Sequence, residues 1–165
     1  MGNELRIAIK MADTAEALLA RVTEARSGLF EVPSAPPGGF GIDPMLLALA
    51  MELALKAWIT ADQGAKPIRV HNLSKLFNML KPEQREKIEN DLRISCPWYR
   101  PCPLDPMGVD AARILDAHAD AFVEWRYMHE MTRGSFSHSD MESVLASVLK
   151  LFRARQATKT ITPLF

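Results

Sequence analysis

The stretch from residue 43 to residue 61, DPMLLALAMELALKAWITA, limits what this chain can fold into more than any other. After Asp43 it is apolar on nearly every side, and only Glu52 and Lys56 interrupt it with a charge. A helix that is apolar all round belongs in the middle of a bundle, where several other helices contact it. At about 1.5 Å per residue, this helix is long enough to cross a small domain. The rest of the chain is therefore expected to pack around it.

Helical periodicity also runs through most of the remaining sequence. Apolar residues spaced three and four apart predict further helices at residues 11–26, 71–80, 82–93, 109–132 and after Asp140. Residues 5–10 instead alternate apolar and polar side chains, which predicts an extended arm or the start of the next helix. Because no second strand accompanies this segment, the sequence predicts an all-α bundle of about five or six helices.

The length of 165 residues suits a single domain that spans residues 1–165. Its predicted core covers residues 43–155. Residues 1–42 hold an N-terminal arm, a helix and a loop rich in proline and glycine. That loop, at residues 29–42, is long enough to be either mobile or functional.

Charge and composition narrow the class of protein. The 20 basic and 20 acidic residues give a formal net charge of zero, so global charge provides no attraction to nucleic acid or to a membrane surface. No uncharged run is as long as a membrane span, and the N-terminal sequence carries no secretory leader. We therefore expect a cytoplasmic protein with reduced thiols and no membrane partner.

The sequence carries no strong catalytic motif. It lacks a glycine-rich phosphate loop, a zinc-binding His-Glu-x-x-His helix and a Gly-x-Ser-x-Gly elbow. Cys96 and Cys102 have no second pair of cysteines or histidines in register, so their spacing suits structural zinc poorly. We expect two ordinary loop thiols, no metal and no cofactor.

Glu52 and Lys56 lie one turn apart on the otherwise apolar helix and are predicted to form an i,i+4 pair. A buried charge needs partners, and Arg126 is the expected second partner of Glu52. His71, at the head of its own helix, is expected to cap that helix or to join the cluster of Glu52 and Arg126. The alternative interpretation is that the same polar cluster lines a pocket.

Arg133 and His138 are the candidate catalytic pair, with four residues between them at a predicted helix junction. A histidine titrates near neutral pH and can move a proton at a ribose 2′-OH, while an arginine can hold the phosphate through two hydrogen bonds. Such a pair could cleave RNA without a metal. The competing interpretation is a solvated turn in which Ser137 or Ser139 caps the last helix. Residues 139–142 also have the pattern of a capping box.

Three short segments together resemble the HEPN family (higher eukaryotes and prokaryotes nucleotide-binding domains). They are ELALKA at residues 52–57, HNLSKLF at residues 71–77 and FVEWRY at residues 122–127. Their order and approximate spacing are similar to those of the family over residues 43–155. The resemblance implies an α-helical bundle that often dimerises. Active members of the family are ribonucleases that need no metal and act in toxin–antitoxin and antiphage systems.

The family's catalytic signature is an arginine a few residues ahead of a histidine, commonly with a polar residue after the arginine. Arg133 and His138 fit this spacing, but Gly134 stands where the polar residue is preferred. Arg126 and His129 form a second pair, whose spacing is too short for the signature. The expected polar network comprises Glu52, Lys56, His71, Arg126, Tyr127 and His129.

Two functions follow from these patterns. The first is a non-catalytic HEPN-like binding or regulatory module in a defence or stress system, with a partner protein, RNA or a nucleotide as its ligand. The alternative is a metal-independent HEPN-type endoribonuclease, in which His138 is the general acid/base and Arg133 the phosphate clamp. Its site would form between the protomers of a homodimer. Zero net charge and the altered signature favour the first function, and a plain structural bundle with an unrelated role stays open.

Overall fold

The computed structural model of the chain describes residues 2–29, 42–64, 68–96, 99, 109–126 and 136–161. Within these residues the chain forms seven helices and no strand, which confirms the predicted all-α bundle. The helices are α1 (Asn3–Leu29), α2 (Ile42–Gln63), α3 (Leu73–Asn78), α4 (Pro82–Ser95), α5 (Ala111–Ala117), α6 (Ala121–Arg126) and α7 (His138–Ile161).

Helix α2 is the central element, as its apolar sequence predicts, and it contacts α1, α3, α6 and α7. Its buried apolar side chains include Leu47, Ala50, Met51, Ala54, Leu55, Ala57, Trp58 and Ile59. Gly64 follows its last turn with a φ of +91°, a backbone conformation that favours glycine. The N–H of Gly64 donates to the carbonyl of Thr60 at 3.1 Å, and α2 ends one residue earlier, at Gln63.

Helix α2 is also long and apolar enough, by length and composition alone, to cross a membrane. The segment is Asp43–Gln63, so the expectation that no run reaches this length does not hold. In the fold, 72% of the most apolar window of this segment is buried against the rest of the chain. A buried core helix passes the same test, so this feature argues neither for nor against a membrane.

Helix α1 starts at Asn3, eight residues before the predicted start at Met11. Of the two predictions for residues 5–10, the start of the helix is therefore confirmed and the extended arm is wrong. The reason is a continuous stripe of small side chains that packs closely on α2. Ala8, Ala12 and Ala15 are each fully buried. Their spacing of three and four residues is that of one helix face. The alternation in residues 5–10 reflects the size of the side chains, whereas the buried alanines determine which face of the helix packs on α2.

The single helix predicted at residues 109–132 is also wrong, because α5 ends at Ala117 and α6 starts at Ala121. The turn between them docks onto the start of α3. The carbonyl of Ala119 accepts a hydrogen bond from the N–H of Leu73 at 2.8 Å. Nearby, Asn72 donates from Nδ2 to Oδ1 of Asp120 at 3.0 Å. The Ala119 carbonyl thus pairs with a distant part of the chain at the turn between α5 and α6.

The apolar stripes predicted for α3, α4 and α7 are confirmed. All their members are buried: Leu73, Leu76, Phe77 and Leu80; Ile88 and Leu92; Val144, Leu145, Val148, Leu149 and Phe152. Helix α7 begins at His138, so the capping box predicted at residues 139–142 is wrong. Ser139 lies inside the first turn, and the Glu142 carboxylate pairs with Arg26 of α1 at 2.6 Å. Residues 30–41 and most of the proline-rich stretch at 95–106 lie outside the described residues.

Candidate functional site

The first polar cluster lies at the centre of the bundle, on α2. The Lys56 ammonium donates to Oε1 of Glu52 at 2.8 Å, and both side chains are buried. The Nδ1 atom of His71 lies 3.0 Å from Oε1 and 3.2 Å from Oε2 of the same carboxylate. Because an ionised carboxylate only accepts hydrogen bonds, Nδ1 of His71 carries the hydrogen in these contacts. One buried carboxylate therefore binds two donors from separate parts of the chain.

His71 is the member of this cluster that lies at the molecular surface. Its side chain is 57% exposed, whereas that of Glu52 is 6% exposed. The residue after it, Asn72, caps α3 by accepting from the N–H of Lys75 at 2.9 Å. Of the two roles expected for His71, the structure therefore gives the cap to Asn72 and the contact with Glu52 to His71.

Several predicted site residues lie outside the part of the chain that the structure describes. Arg126 is the last residue of α6, and its side chain is not described. Tyr127, His129 and Arg133 belong to the undescribed residues 127–135. The pairing of Glu52 with Arg126 and the distance between Arg133 and His138 therefore stay predictions.

The second cluster surrounds the start of α7, where His138 is the first helical residue. The ring of Phe136 lies between two histidines: its centroid is 5.0 Å from that of His138 and 4.7 Å from that of His118. His118 is buried at the end of α5, while Phe136 and His138 are half-buried. This stack fastens the turn between α5 and α6 to the start of α7.

Hydrogen bonds complete the second cluster around Ser137 and Asp140. The N–H of Ser137 donates to Nε2 of His118 at 3.3 Å, and the Ser137 hydroxyl donates to Oδ2 of Asp140 at 2.5 Å. The other Asp140 oxygen accepts from the Tyr99 hydroxyl. The carbonyl of Ser137 accepts the first helical N–H, from Met141 at 3.1 Å. Ser137 therefore precedes α7 as its N-cap, which was one of the two predicted caps.

Both histidines of this cluster favour the neutral form. Burial lowers the pKa of His118, although the carboxylates of Asp140 and Glu124 partly oppose that effect. Burial likewise lowers the pKa of His138, and the Arg26 guanidinium lowers it further against Asp43 and Glu142. Since Nε2 of neutral His118 accepts a hydrogen bond, its hydrogen resides on Nδ1. Protonation of His118 would remove the acceptor that holds the Ser137 N–H.

An open cleft of about 600 Å³ lies beside this cluster. Its walls include His118, Phe136 and Asp140 from the cluster, together with Arg113 and Ile114 from α5. The cleft is thus lined by an aromatic ring, an acidic group and a basic group. Its volume falls in the range of small-molecule sites, about 300–1,000 Å³.

Sequence reasoning missed His118 and Tyr99 as partners of the start of α7, and it missed Asp140 as the residue of α7 that binds Tyr99. The one available signal was the spacing of Ser137 and Asp140, which is that of an N-cap and the third helical residue. Nothing in the local sequence linked His118 to them. Among the described ranges, no three histidine, cysteine or acidic side chains come together as a metal site requires. Cys96 is a buried free thiol, and Cys102 lies outside those ranges.

No protein-family model matches this chain, and neither the curated proteins nor the solved structures contain a match to it.

Proposed function

We propose that the chain is a HEPN-like helical module that binds a partner without catalysing a reaction. One observation carries the proposal: in both polar clusters, groups suited to acid–base chemistry are already hydrogen-bonded to the protein. The Glu52 carboxylate bonds to Lys56 and His71. Both oxygens of Asp140 accept from protein hydroxyls. These contacts give each group a structural task.

The Glu52 cluster supports the proposal because it is internal. Its carboxylate is 6% exposed and its lysine partner 11% exposed, so neither presents a charge to a substrate. A buried carboxylate and ammonium are retained only when they satisfy each other. The cluster joins α2 to the chain just before α3, and this is the expected behaviour of an architectural network.

The proposed binding surface is the cleft beside Phe136, and the proposed partner is RNA, a nucleotide or a protein segment. Phe136 lines the cleft with an aromatic ring, and Arg113 lines it with a guanidinium. Aromatic rings and guanidinium groups are side-chain types that contact bases and phosphates. We propose that two copies of the chain form a homodimer, as HEPN-like bundles often do, and that the module serves a defence or stress system in the cytoplasm.

The second candidate function is a metal-independent ribonuclease that uses His138 and Arg133. A specific observation favours it: the lowered pKa of His138 keeps its imidazole neutral near pH 7. A neutral imidazole can take a proton from a ribose 2′-OH, which is the role of a general base. Arg133 precedes it by five residues and would hold the phosphate.

Binding measurements test the module directly. Fluorescence anisotropy with a labelled RNA pool in EDTA, and analytical ultracentrifugation of the free protein, report the ligand and the oligomeric state. We expect a dimer and saturable RNA binding that Phe136→Ala weakens, because that variant removes the ring beside the cleft. Val123→Ala is the matched control, since Val123 is a half-exposed apolar residue that does not line the cleft.

Two outcomes would count against this account. A monomer that binds no RNA and captures no protein by crosslinking would leave the plain structural bundle as the better interpretation. Equal loss of binding in Phe136→Ala and Val123→Ala would contradict the proposal that the binding surface is this cleft.

A further inference from the structure

A second cleft, of about 480 Å³, lies between α4 and α7 and shares no residue with the polar clusters described above. Lys81 and Lys87 line it at the α4 side, Arg155 and Leu151 line it at the α7 side, and Trp58 of α2 also lines it. The helices around it are anchored in the core, because Trp58, Ile88 and Phe152 are all buried. The volume again suits a small molecule.

The cleft collects positive charge on a chain whose formal net charge is zero. Among the described residues, three cations line it, against one carboxylate, that of Glu83. Lys87 is exposed and makes no hydrogen bond or ion pair with the described part of the chain. The Lys81 ammonium is 61% exposed and lies 3.8 Å from Asp62, so most of its hydrogen-bonding capacity faces solvent. These two lysines can therefore bind an anion without breaking a contact of the fold.

Arg155 is held in place but not fully paired. Its Nη2 donates to Asp62, and its guanidinium lies 5.2 Å from the centroid of the Trp58 ring. Asp62 is fixed in turn by Nε2 of Gln84 at 2.5 Å. The Nη1 atom of Arg155 is buried and has no hydrogen-bond partner within the described ranges. The Arg155 guanidinium therefore keeps hydrogen-bonding capacity beside a cleft that two lysine side chains also line.

We propose that this cleft binds a small phosphorylated ligand. Its phosphate oxygens would accept hydrogen bonds from Lys81, Lys87 and the Arg155 guanidinium, and its apolar part would pack on Leu151. A phosphate monoester suits the site better than a monocarboxylate, because it carries up to two charges and three acceptor oxygens. The proposal is independent of the HEPN-like module, since it uses neither polar cluster.

Isothermal titration calorimetry with three defined probes tests the ligand class. The probes are phenyl phosphate, inorganic phosphate and phenol, each in buffer without divalent metal. We expect phenyl phosphate to bind saturably and more tightly than inorganic phosphate, and phenol not to bind. The absence of saturable binding by both phosphates at millimolar concentration would overturn the proposal, and so would equal binding of phenol and phenyl phosphate.

Matched lysine variants test the location. Lys87→Ala should weaken phenyl phosphate binding about tenfold, as expected for one charge-assisted hydrogen bond. Glu83→Gln should strengthen it, because the variant removes the one carboxylate of the lining. Lys10→Ala is the control: Lys10 is an exposed lysine of α1 with no side-chain partner in the described fold. All three positions are exposed, so their variants are expected to keep the wild-type melting temperature.

Unchanged affinity in Lys87→Ala would place the anion elsewhere and overturn the site. The same loss in Lys10→Ala as in Lys87→Ala would show a non-specific charge effect, which also overturns it. RNA binding and RNA cleavage are measured separately from these titrations, so failure of this site and failure of the proposed function are distinguishable.

Discussion

The buried pair of Glu52 and Lys56 gives the sharpest test of the architectural role assigned to the first cluster. Replacement of Glu52 by leucine leaves the Lys56 ammonium buried and unpaired, since its side chain is only 11% exposed. Removal of one partner of a buried ion pair costs about 3–5 kcal/mol. That is a large part of a typical unfolding free energy of about 5–15 kcal/mol. We expect Glu52→Leu to lower the free energy of unfolding by about this amount.

The converse change should cost less, because the cluster has a third member. In Lys56→Met the Glu52 carboxylate keeps its contacts with His71, at 3.0 and 3.2 Å. We expect a loss of about 1–3 kcal/mol, typical of one buried polar group that has lost a partner. The double variant replaces both charges by apolar groups of similar size, so its stability should lie within about 1 kcal/mol of wild type.

Urea denaturation followed by circular dichroism measures the free energies for all four proteins of this double-mutant cycle. Lys10→Met is the control for an exposed lysine and should change stability by no more than about 0.5 kcal/mol. A double variant that loses as much as the two single variants together would refute the reasoning, because the two charges would then not depend on each other. A loss below about 1 kcal/mol in Glu52→Leu would refute the claim that Lys56 needs its partner.

Three further predictions follow from local contacts. Because the folded pKa of both His118 and His138 is lowered, the unfolded chain binds more protons below pH 6.5, and stability should fall as the pH drops from there. Urea midpoints at pH 7.5 and 5.5 measure this fall, which should shrink in His118→Gln; an unchanged fall would contradict the role of His118. Asn72→Ala should lower stability by about 1 kcal/mol through loss of the α3 cap, while Asn72→Asp keeps the cap acceptor and should lose less. Gly64→Ala should lower the melting temperature, at a cost of about 1 kcal/mol for a non-glycine residue at positive φ. Within the described residues, a Cβ at Gly64 would meet only the Glu4 side chain, at 4.0 Å, so a much larger loss would contradict a purely backbone cause.

The core of the fold could be predicted because burial leaves a periodic trace in the sequence. The stripes of α3, α4 and α7 consist of large apolar residues at helical spacing, and each proved buried. The contact of Glu52 with Lys56 could be predicted for a similar reason, since a spacing of four residues places both on one helix face. In these cases one element carries the whole signal.

The missed features depend on contacts between distant parts of the chain. The break after α5 exists because the Ala119 carbonyl pairs with the N–H of Leu73, a partner from another element. His118 supports α7 through its contacts with Phe136 and Ser137. These two residues follow His118 in the sequence only after the undescribed residues 127–135. Backbone carbonyls carry no sequence signal, so no local pattern could reveal either contact.

The extended arm was predicted as an alternative at the start of α1 for a different physical reason. Its buried positions at the N-terminal end are alanines, Ala8 and Ala12, which pack tightly on α2 but contribute little to a hydrophobic pattern. Isoleucine and leucine at neighbouring positions stand out more, although Leu5, Ile7 and Ile9 are only half-buried. The large side chains therefore suggested an alternating strand-like pattern. The residues that pack on α2 are instead the small alanines between them.

Incubation of the purified protein with a mixed RNA pool in EDTA distinguishes binding without catalysis from ribonuclease activity. His138→Ala and Arg133→Ala are incubated beside the wild type, and circular dichroism shows that each sample is folded. We expect the RNA to stay intact with all three proteins. RNA fragments from the wild type that both substitutions abolish would contradict this expectation and establish the ribonuclease with His138 and Arg133 at its site.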